Sequence, residues 1–399
     1  MKSVLSLIKF GALFYCLISF LNALILPPAY ELSIDNYFFI FGLVHLTLIT
    51  FKNKEYTILV IAFGLFFGWT LVVDFAKHGA DFKSNIPYLL YFLKWPVILV
   101  TLLDAFKSGK WSEYYPKAID GLFLTLLAVN LLMLLNVGDI GETIQSLYAP
   151  KDYTNFVYYN EFGTFRLAGT QMNPNDNAIL FCCFYIYYLS FRPKAWHYLL
   201  LALGIIILTQ SRTIFLVTLA VSAITAIKHL NVFKNKKQLA LFLLGGFLIG
   251  VAIVFSFPNL RSMFNGDALV SSSFMQRVSN LSNALDSDGL TLVIGNGVIK
   301  NPLLEFGVFI DSEFIAVLVQ YGLVGILLWI MVLIAINIHF KFKSVQGRYW
   351  FLITVLILGT SATNYAFLHG SIGAILTLFL GLSYVGSREI ESKPQEKVQ

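Results

Sequence analysis

The sequence predicts an all-α, polytopic integral membrane protein with about twelve transmembrane helices and both termini on the cytoplasmic side. Three observations lead there. Mean hydropathy is +0.74 and only 13% of residues are charged, whereas a soluble globular chain carries about a quarter. Apolar runs long enough to cross a hydrocarbon core recur near 5–26, 36–51, 56–75, 85–106, 117–137, 176–191, 195–210, 212–228, 238–257, 314–337, 349–368 and 370–386. Most of the 28 lysines and arginines fall between these runs on the side that holds the N-terminus, and basic loops stay in the cytoplasm.

Taken in order, the first run follows Lys2 and contains Lys9, with no small-residue cleavage site before Pro27-Pro28. It reads as an uncleaved signal anchor. Cytoplasmic connections are short and basic, while two external connections, 138–175 and 258–313, are long and hold most of the remaining polar residues. Long loops in a compact chain are commonly functional, so chemistry is expected to face outward. No internal repeat marks the inverted halves of a transporter. Residues 1–387 therefore read as one helical membrane domain, followed by a polar cytoplasmic tail at 388–399. Cys16, Cys182 and Cys183 fall inside apolar runs and read as small apolar residues, without a disulfide or metal framework. The net charge of +6 follows from topology and implies no nucleic-acid partner.

The arginines depart from this pattern. The chain has seven of them against twenty-one lysines, yet Arg166, Arg212, Arg261 and Arg277 fall on the external side. Arginine offers a planar fork that grips phosphate bidentately, which lysine cannot do. External arginines at a bilayer surface suggest a lipid-linked phosphate or pyrophosphate; headgroup anchoring or loop salt bridges are the alternative, and the better reading for Arg261. In "LTQSRTIFL", Gln210 to Thr213 form a tight turn between apolar runs, where Ser211 could cap the next helix and its N-terminus would favour an anion. In "FRLAGTQMNPNDNAILF", Arg166 stands with Asn173, Asn175 and Asn177. The asparagines read equally as substrate ligands and as turn and cap residues. Lys94 lies well inside the fourth run; an intramembrane lysine there either faces the same cavity and helps bind the carrier phosphate or pairs with Asp74.

"FRLAGTQMNPNDNA", then "LTQSRT", then a long external loop with "SSSFMQRVSN", then "IGNG" and "DSEFIAVLVQYGLVGIL" resemble, as an ordered set over 160–335, the O-antigen polymerase and O-antigen ligase superfamily of bacterial surface-polysaccharide enzymes. The resemblance implies a glycosyltransferase, working without metal or cofactor on the outer, periplasmic face of the bacterial inner membrane. It would take a glycan from an undecaprenyl-pyrophosphate-linked oligosaccharide. The implied partners are membrane lipid and a chain-length regulator protein. Arg166, Arg212 and Arg277 would hold the pyrophosphate, with Arg212 and Arg277 stabilising the departing charge. Ligases usually carry a histidine where the tenth run begins; this chain has Asp311-Ser312-Glu313. That departure favours the polymerase branch, with Asp311 as base or hydroxyl-orienting residue and Glu313 in reserve. Both could instead cap the helix electrostatically.

Other signals point to structure. Tyr321, Gly322 and Gly325 in "YGLVGIL" suggest a small-residue packing face, and Gly295 and Gly297 read as turn formers or as a close backbone approach to a glycan. Asp286-Ser287-Asp288 reads as an acidic turn. The six histidines show no ligand spacing, and no metal is expected. "YTNFVYYNEFGTF" reads equally as a lipid-surface belt and as a glycan platform. Two alternatives to the polymerase remain. One is an O-antigen ligase. The other is a lipid-linked glycan transporter, which should bury charges in several spans, where the sequence offers mainly Lys94.

Overall fold

The computed structural model describes residues 2–27, 30, 35–53, 56–107, 114–148, 166–171, 173–229, 288–299, 312–339, 344–363 and 370–392, with isolated positions between 256 and 285. Every extended element among them is a helix. Five helices are long and apolar enough to cross a membrane: Val4–Leu24, Thr57–His78, Phe82–Lys107, Tyr115–Leu135 and Glu313–Ile338. The run at 238–257 lies outside the described residues.

In chain order the helices are α1 (Lys2–Leu24), α2 (Asp35–Lys52), α3 (Thr57–His78), α4 (Phe82–Lys107), α5 (Tyr115–Leu135), α6 (Ile140–Tyr148), α7 (Pro174–Phe191), α8 (Trp196–Leu208), α9 (Arg212–His229), α10 (Gly289–Ile294), α11 (Glu313–Ile338), α12 (Val345–Ser361), α13 (Gly370–Gly381) and α14 (Ser383–Ser392). The last continues to Ser392, past the point where the polar tail begins in sequence. Several boundaries are written locally. Ser344 caps α12 through Gly347 N–H, and Asp288 caps α10 through Thr291 N–H, both at 2.9 Å. Asn136 ends α5 in a left-handed conformation (φ 42°), which asparagine tolerates better than most residues.

Polar contacts join helix ends as alternating helix directions require. Near the start of α1, Lys9 lies 2.5 Å from Asp104 near the end of α4, and His45 near the end of α2 lies 3.7 Å from the same oxygen. Asp120 near the start of α5 meets Arg192, just past α7, at 2.6 Å. At the opposite ends, Asp74 of α3 accepts from Asn85 of α4 at 3.0 Å, and Ser361 of α12 donates to Glu313 of α11 at 3.3 Å. Charged groups within the helices thus extend beyond Lys94, and these pairs collect towards the helix ends. Between them, packing is apolar and aromatic: Phe123 is fully buried, with Phe181, Phe184, Tyr188 and Tyr198 set edge-on around it. Lipid is as apolar as leucine, so such fitted contacts and hydrogen bonds, more than removal from water, hold membrane helices together.

Gly322 in "YGLVGIL" packs directly on the Val293–Ile294 backbone of α10, as a small-residue face allows, but the helix is not regular there. There α11 breaks, with φ 67° and ψ −169°. The freed carbonyls are satisfied from outside the helix. Val319 O accepts from Asn296 N–H at 3.0 Å and from its side-chain amide at 3.1 Å, and Gln320 O accepts from Gly297 N–H at 2.8 Å. Tyr321 O accepts from Trp69 Nε1 at 2.9 Å. The "IGNG" segment thus packs its backbone closely on α11. Gly297, at φ 81°, presses against His78 and Asp74: a Cβ there would stand 2.8 Å from His78 Nε2.

Asp74 anchors this splice. It is fully buried, accepts both bonds from Asn85 Nδ2 at 3.0 Å, and accepts Val298 N–H at 2.9 Å. His78 Nε2 approaches to 3.5 Å. Asp74→Ala would leave the Asn85 amide and the Val298 N–H without that acceptor, at about 1–3 kcal/mol each. A lower unfolding midpoint in detergent is the expected outcome, with Asp74→Asn falling between it and the wild type.

Candidate functional site

The two polar stretches singled out in the sequence, around Arg166 and around Arg212, meet in the structure. The segment entering α7 runs beside the end of α8: Leu167 N–H donates to Leu208 O at 3.2 Å, and Arg166 Nε donates to Thr209 O at 3.0 Å. Arg166 Nη2 donates to Asn175 Oδ1 at 3.0 Å. Asn175 is placed for this by the cap of α7, where the Asn173 side chain accepts Asn175 N–H at 2.9 Å and Pro174 occupies the first turn, a position that needs no N–H donor.

The turn between α8 and α9 is buried: Thr209, Gln210 and Ser211 are 0%, 5% and 2% exposed. Gln210 adopts φ 52°, a left-handed conformation uncommon outside glycine and a mark of constraint. The main chain of Ser211 is engaged through both its carbonyl and its N–H. Ser211 O accepts Phe215 N–H at 2.9 Å, and Ser211 N–H points to Thr209 Oγ1 at 3.3 Å. Helix α8 has 13 residues and rises about 20 Å, short of the roughly 30 Å of a hydrocarbon core. A turn on so short a helix sits below the headgroups if the other end reaches the surface, and irregular backbone at that depth must be enclosed by protein.

Arg166 is partly buried, and its two described acceptors, Thr209 O and Asn175 Oδ1, are neutral. Burial, and then the nearby positive charge of Arg212, pull its guanidinium down from the ordinary arginine range to about 10. It stays protonated at neutral pH. Two like charges converge in a poorly solvated corner, and an anion placed between them would relieve both penalties.

Asn177 stands apart from this arrangement. It is fully buried and donates to Asn130 Oδ1 at 2.7 Å and to Leu167 O at 3.2 Å, so its amide fixes the loop to α5 and α7. Gly169 (φ 58°) closes over the pair: a Cβ would lie 2.6 Å from Asn177 Oδ1. Asn130 and Thr209 escaped the sequence reading. Asn130 had a signal, a lone amide in "LLAVNLLML", whereas Thr209 participates chiefly through its carbonyl, which every residue possesses.

Glu313 is fully buried at the first turn of α11 and accepts from Ser361 Oγ; Ser312 donates to Ser361 O at 3.1 Å. Helix α12 ties this carboxylate to the arginine end of α9, since Gly359 packs directly on Val217. Arg212 lies about 7.5 Å along α9 from Val217, and Ser361 about 3 Å along α12 from Gly359, towards the same end. Lys94 is partly buried in α4, which packs chiefly against α1, α2, α3 and α13, and no described contact brings it to Arg166. Arg277, Arg261, Asp311, Asp286 and the aromatic stretch at 153–162 lie outside the described residues. Among the described residues no cluster of three histidine, cysteine or acidic side chains could hold a metal ion, and all three cysteines are buried free thiols.

Compared with known proteins, the chain matches no family model and no curated protein sequence.

Proposed function

We propose that the protein is a multi-pass glycosyltransferase of the bacterial inner membrane. In this reading twelve spans run with both termini in the cytoplasm, and a growing repeat-unit glycan is transferred from undecaprenyl pyrophosphate to the next lipid-linked repeat unit on the outer face. The observation that carries the proposal is the convergence of Arg166 and Arg212 at the buried α8–α9 turn, with Arg166 held by neutral acceptors among the described residues. Such a corner suits a pyrophosphate entering from the side of a bilayer.

The chemistry follows from the leaving group. The acceptor hydroxyl oxygen attacks the anomeric carbon, the bond from that carbon to the pyrophosphate oxygen breaks, and the electron pair leaves on the pyrophosphate. Arg166 and Arg212, joined by Arg277, neutralise the developing charge. The hydroxyl proton passes to Asp311 or Glu313. One displacement inverts the anomeric centre, so a product that retains the donor configuration would exclude this scheme.

The test is a clean deletion strain, with its surface glycan resolved on a gel and its lipid-linked intermediates analysed. Single repeat units on both the surface and the carrier are expected. Long chains held on the carrier would indicate a ligase. A transporter is the second reading, favoured by the Lys9–His45–Asp104 group; it requires lipid-linked units to accumulate on the cytoplasmic leaflet.

A direct binding prediction follows from the arginine corner. Inorganic pyrophosphate is expected to raise the unfolding midpoint of the purified protein, by the equivalent of about 2.7 kcal/mol at a hundredfold excess over its dissociation constant. Arg212→Gln is expected to abolish the increase. Because anion binding needs the charged guanidinium, the effect should persist through neutral pH and fade as pH rises through about 10.

A further inference from the structure

A lateral groove separates α1 from α5. Leu13, Leu17 and Phe20 of α1 form one wall, Ala118 and Leu122 of α5 the other, and Leu102, Phe184 and Phe379 the floor, enclosing about 350 Å³. No charged side chain lines it. Along α1 it extends from Leu13 to Ile25, about 18 Å at helical rise. Leu17, at 53% exposed, marks its open side. At one end Phe106 and Tyr115 meet edge to face at 4.7 Å and close the floor. Among the described residues, those adjoining that closed end include Lys107, the last of α4, and Lys117, in the first turn of α5; both are exposed.

We propose that this groove holds one acyl chain of an anionic phospholipid, with the lipid phosphate between Lys107 and Lys117. Three features select that occupant. An unbroken apolar lining in a chain rich in membrane-crossing helices is filled by hydrocarbon, and the cross-section admits a single chain. The length suits an acyl tail lying along a helix. The two lysines put the positive charge at the Phe106–Tyr115 end, and a basic rim on a groove between membrane helices is the arrangement that recognises acidic headgroups. The carrier whose pyrophosphate is assigned above to Arg166 and Arg212 would bring its charge to the opposite helix ends, where the groove finishes on Leu24 and Ile25. The site therefore belongs to a bulk lipid of the basic leaflet, and it does not depend on the reaction proposed for the arginine corner.

The experiment uses the full chain in phosphatidylcholine vesicles carrying either spin-labelled phosphatidylglycerol or spin-labelled phosphatidylcholine. A motionally restricted lipid component is expected, severalfold larger for phosphatidylglycerol. The exposed pair Lys107→Gln and Lys117→Gln should bring phosphatidylglycerol down to the phosphatidylcholine level, with affinity falling roughly fivefold for each lysine. Ala118→Trp, filling the groove from its open side, should remove the restricted component for both lipids while the unfolding midpoint stays near wild type. Equal restriction of the two labels, or a component untouched by Ala118→Trp, would overturn the proposal. So would displacement of the label by a polyprenyl phosphate but not by unlabelled phosphatidylglycerol.

Discussion

Arg212→Lys and Arg166→Lys are each expected to reduce polymer formation by about 100-fold or more, which is the scale of losing one preorganised donor to a developing negative charge. Lysine keeps the charge but loses the planar fork, so the pair isolates geometry from electrostatics. The two variants should differ in stability. Arg166 also holds Thr209 O and Asn175 Oδ1, so its replacement loosens the entry to α7. Groups that share one anion are not independent, so the double variant should lose less than the product of the two single losses. Chain-length ladders from strains with matched levels of folded protein provide the readout. Long chains from both lysine variants would remove bidentate phosphate gripping from the mechanism.

The second large effect is structural. Gly322→Ala is expected to destabilise the protein by about 3 kcal/mol or more, because φ 67° with ψ −169° lies in a region essentially reserved for glycine. The added Cβ would also drive into the Val293 carbonyl, main chain that cannot swing aside. Gly64→Ala and Gly68→Ala form the contrast: their Cβ atoms would meet nothing within 4 Å. Both should be neutral, or stabilising by roughly 0.5–1 kcal/mol through the helical preference of alanine. Thermal unfolding of the three variants in one detergent decides the matter; a stable Gly322→Ala protein would mean that the break in α11 relaxes easily.

Much of the architecture was legible because hydropathy is written residue by residue. The runs at 5–26, 56–75, 85–106, 117–137 and 314–337 each correspond to a helix long and apolar enough to cross a membrane. Part of the site was legible too: arginines where topology favours none pointed to Arg166 and Arg212, which the fold brings together. What stayed hidden depends on backbone. The kink at Gly322 looked like helix-packing glycine, because "YGLVG" has the same spacing whether the chain continues or breaks. Its cause lies in "IGNG", where the backbone N–H groups of Asn296 and Gly297 supply the bonds. The amide of Asn177 bonds Asn130 and the Leu167 carbonyl, contacts that its neighbours in sequence do not announce.

The break in α11 has a mechanical meaning. A kink with empty carbonyls works as a swivel, but here each of the three carbonyls before Gly322 is already claimed, two by the 296–297 backbone and one by Trp69. The stretch 313–321 is therefore keyed to the 294–298 strap and, through Val298, to the carboxylate of Asp74. Glu313 inherits its coordinates from parts of the chain remote from it in sequence. Disturbance at Asp74 or Asn296 should accordingly register at Glu313 as displacement of a whole half-helix, with the arginine corner left in place.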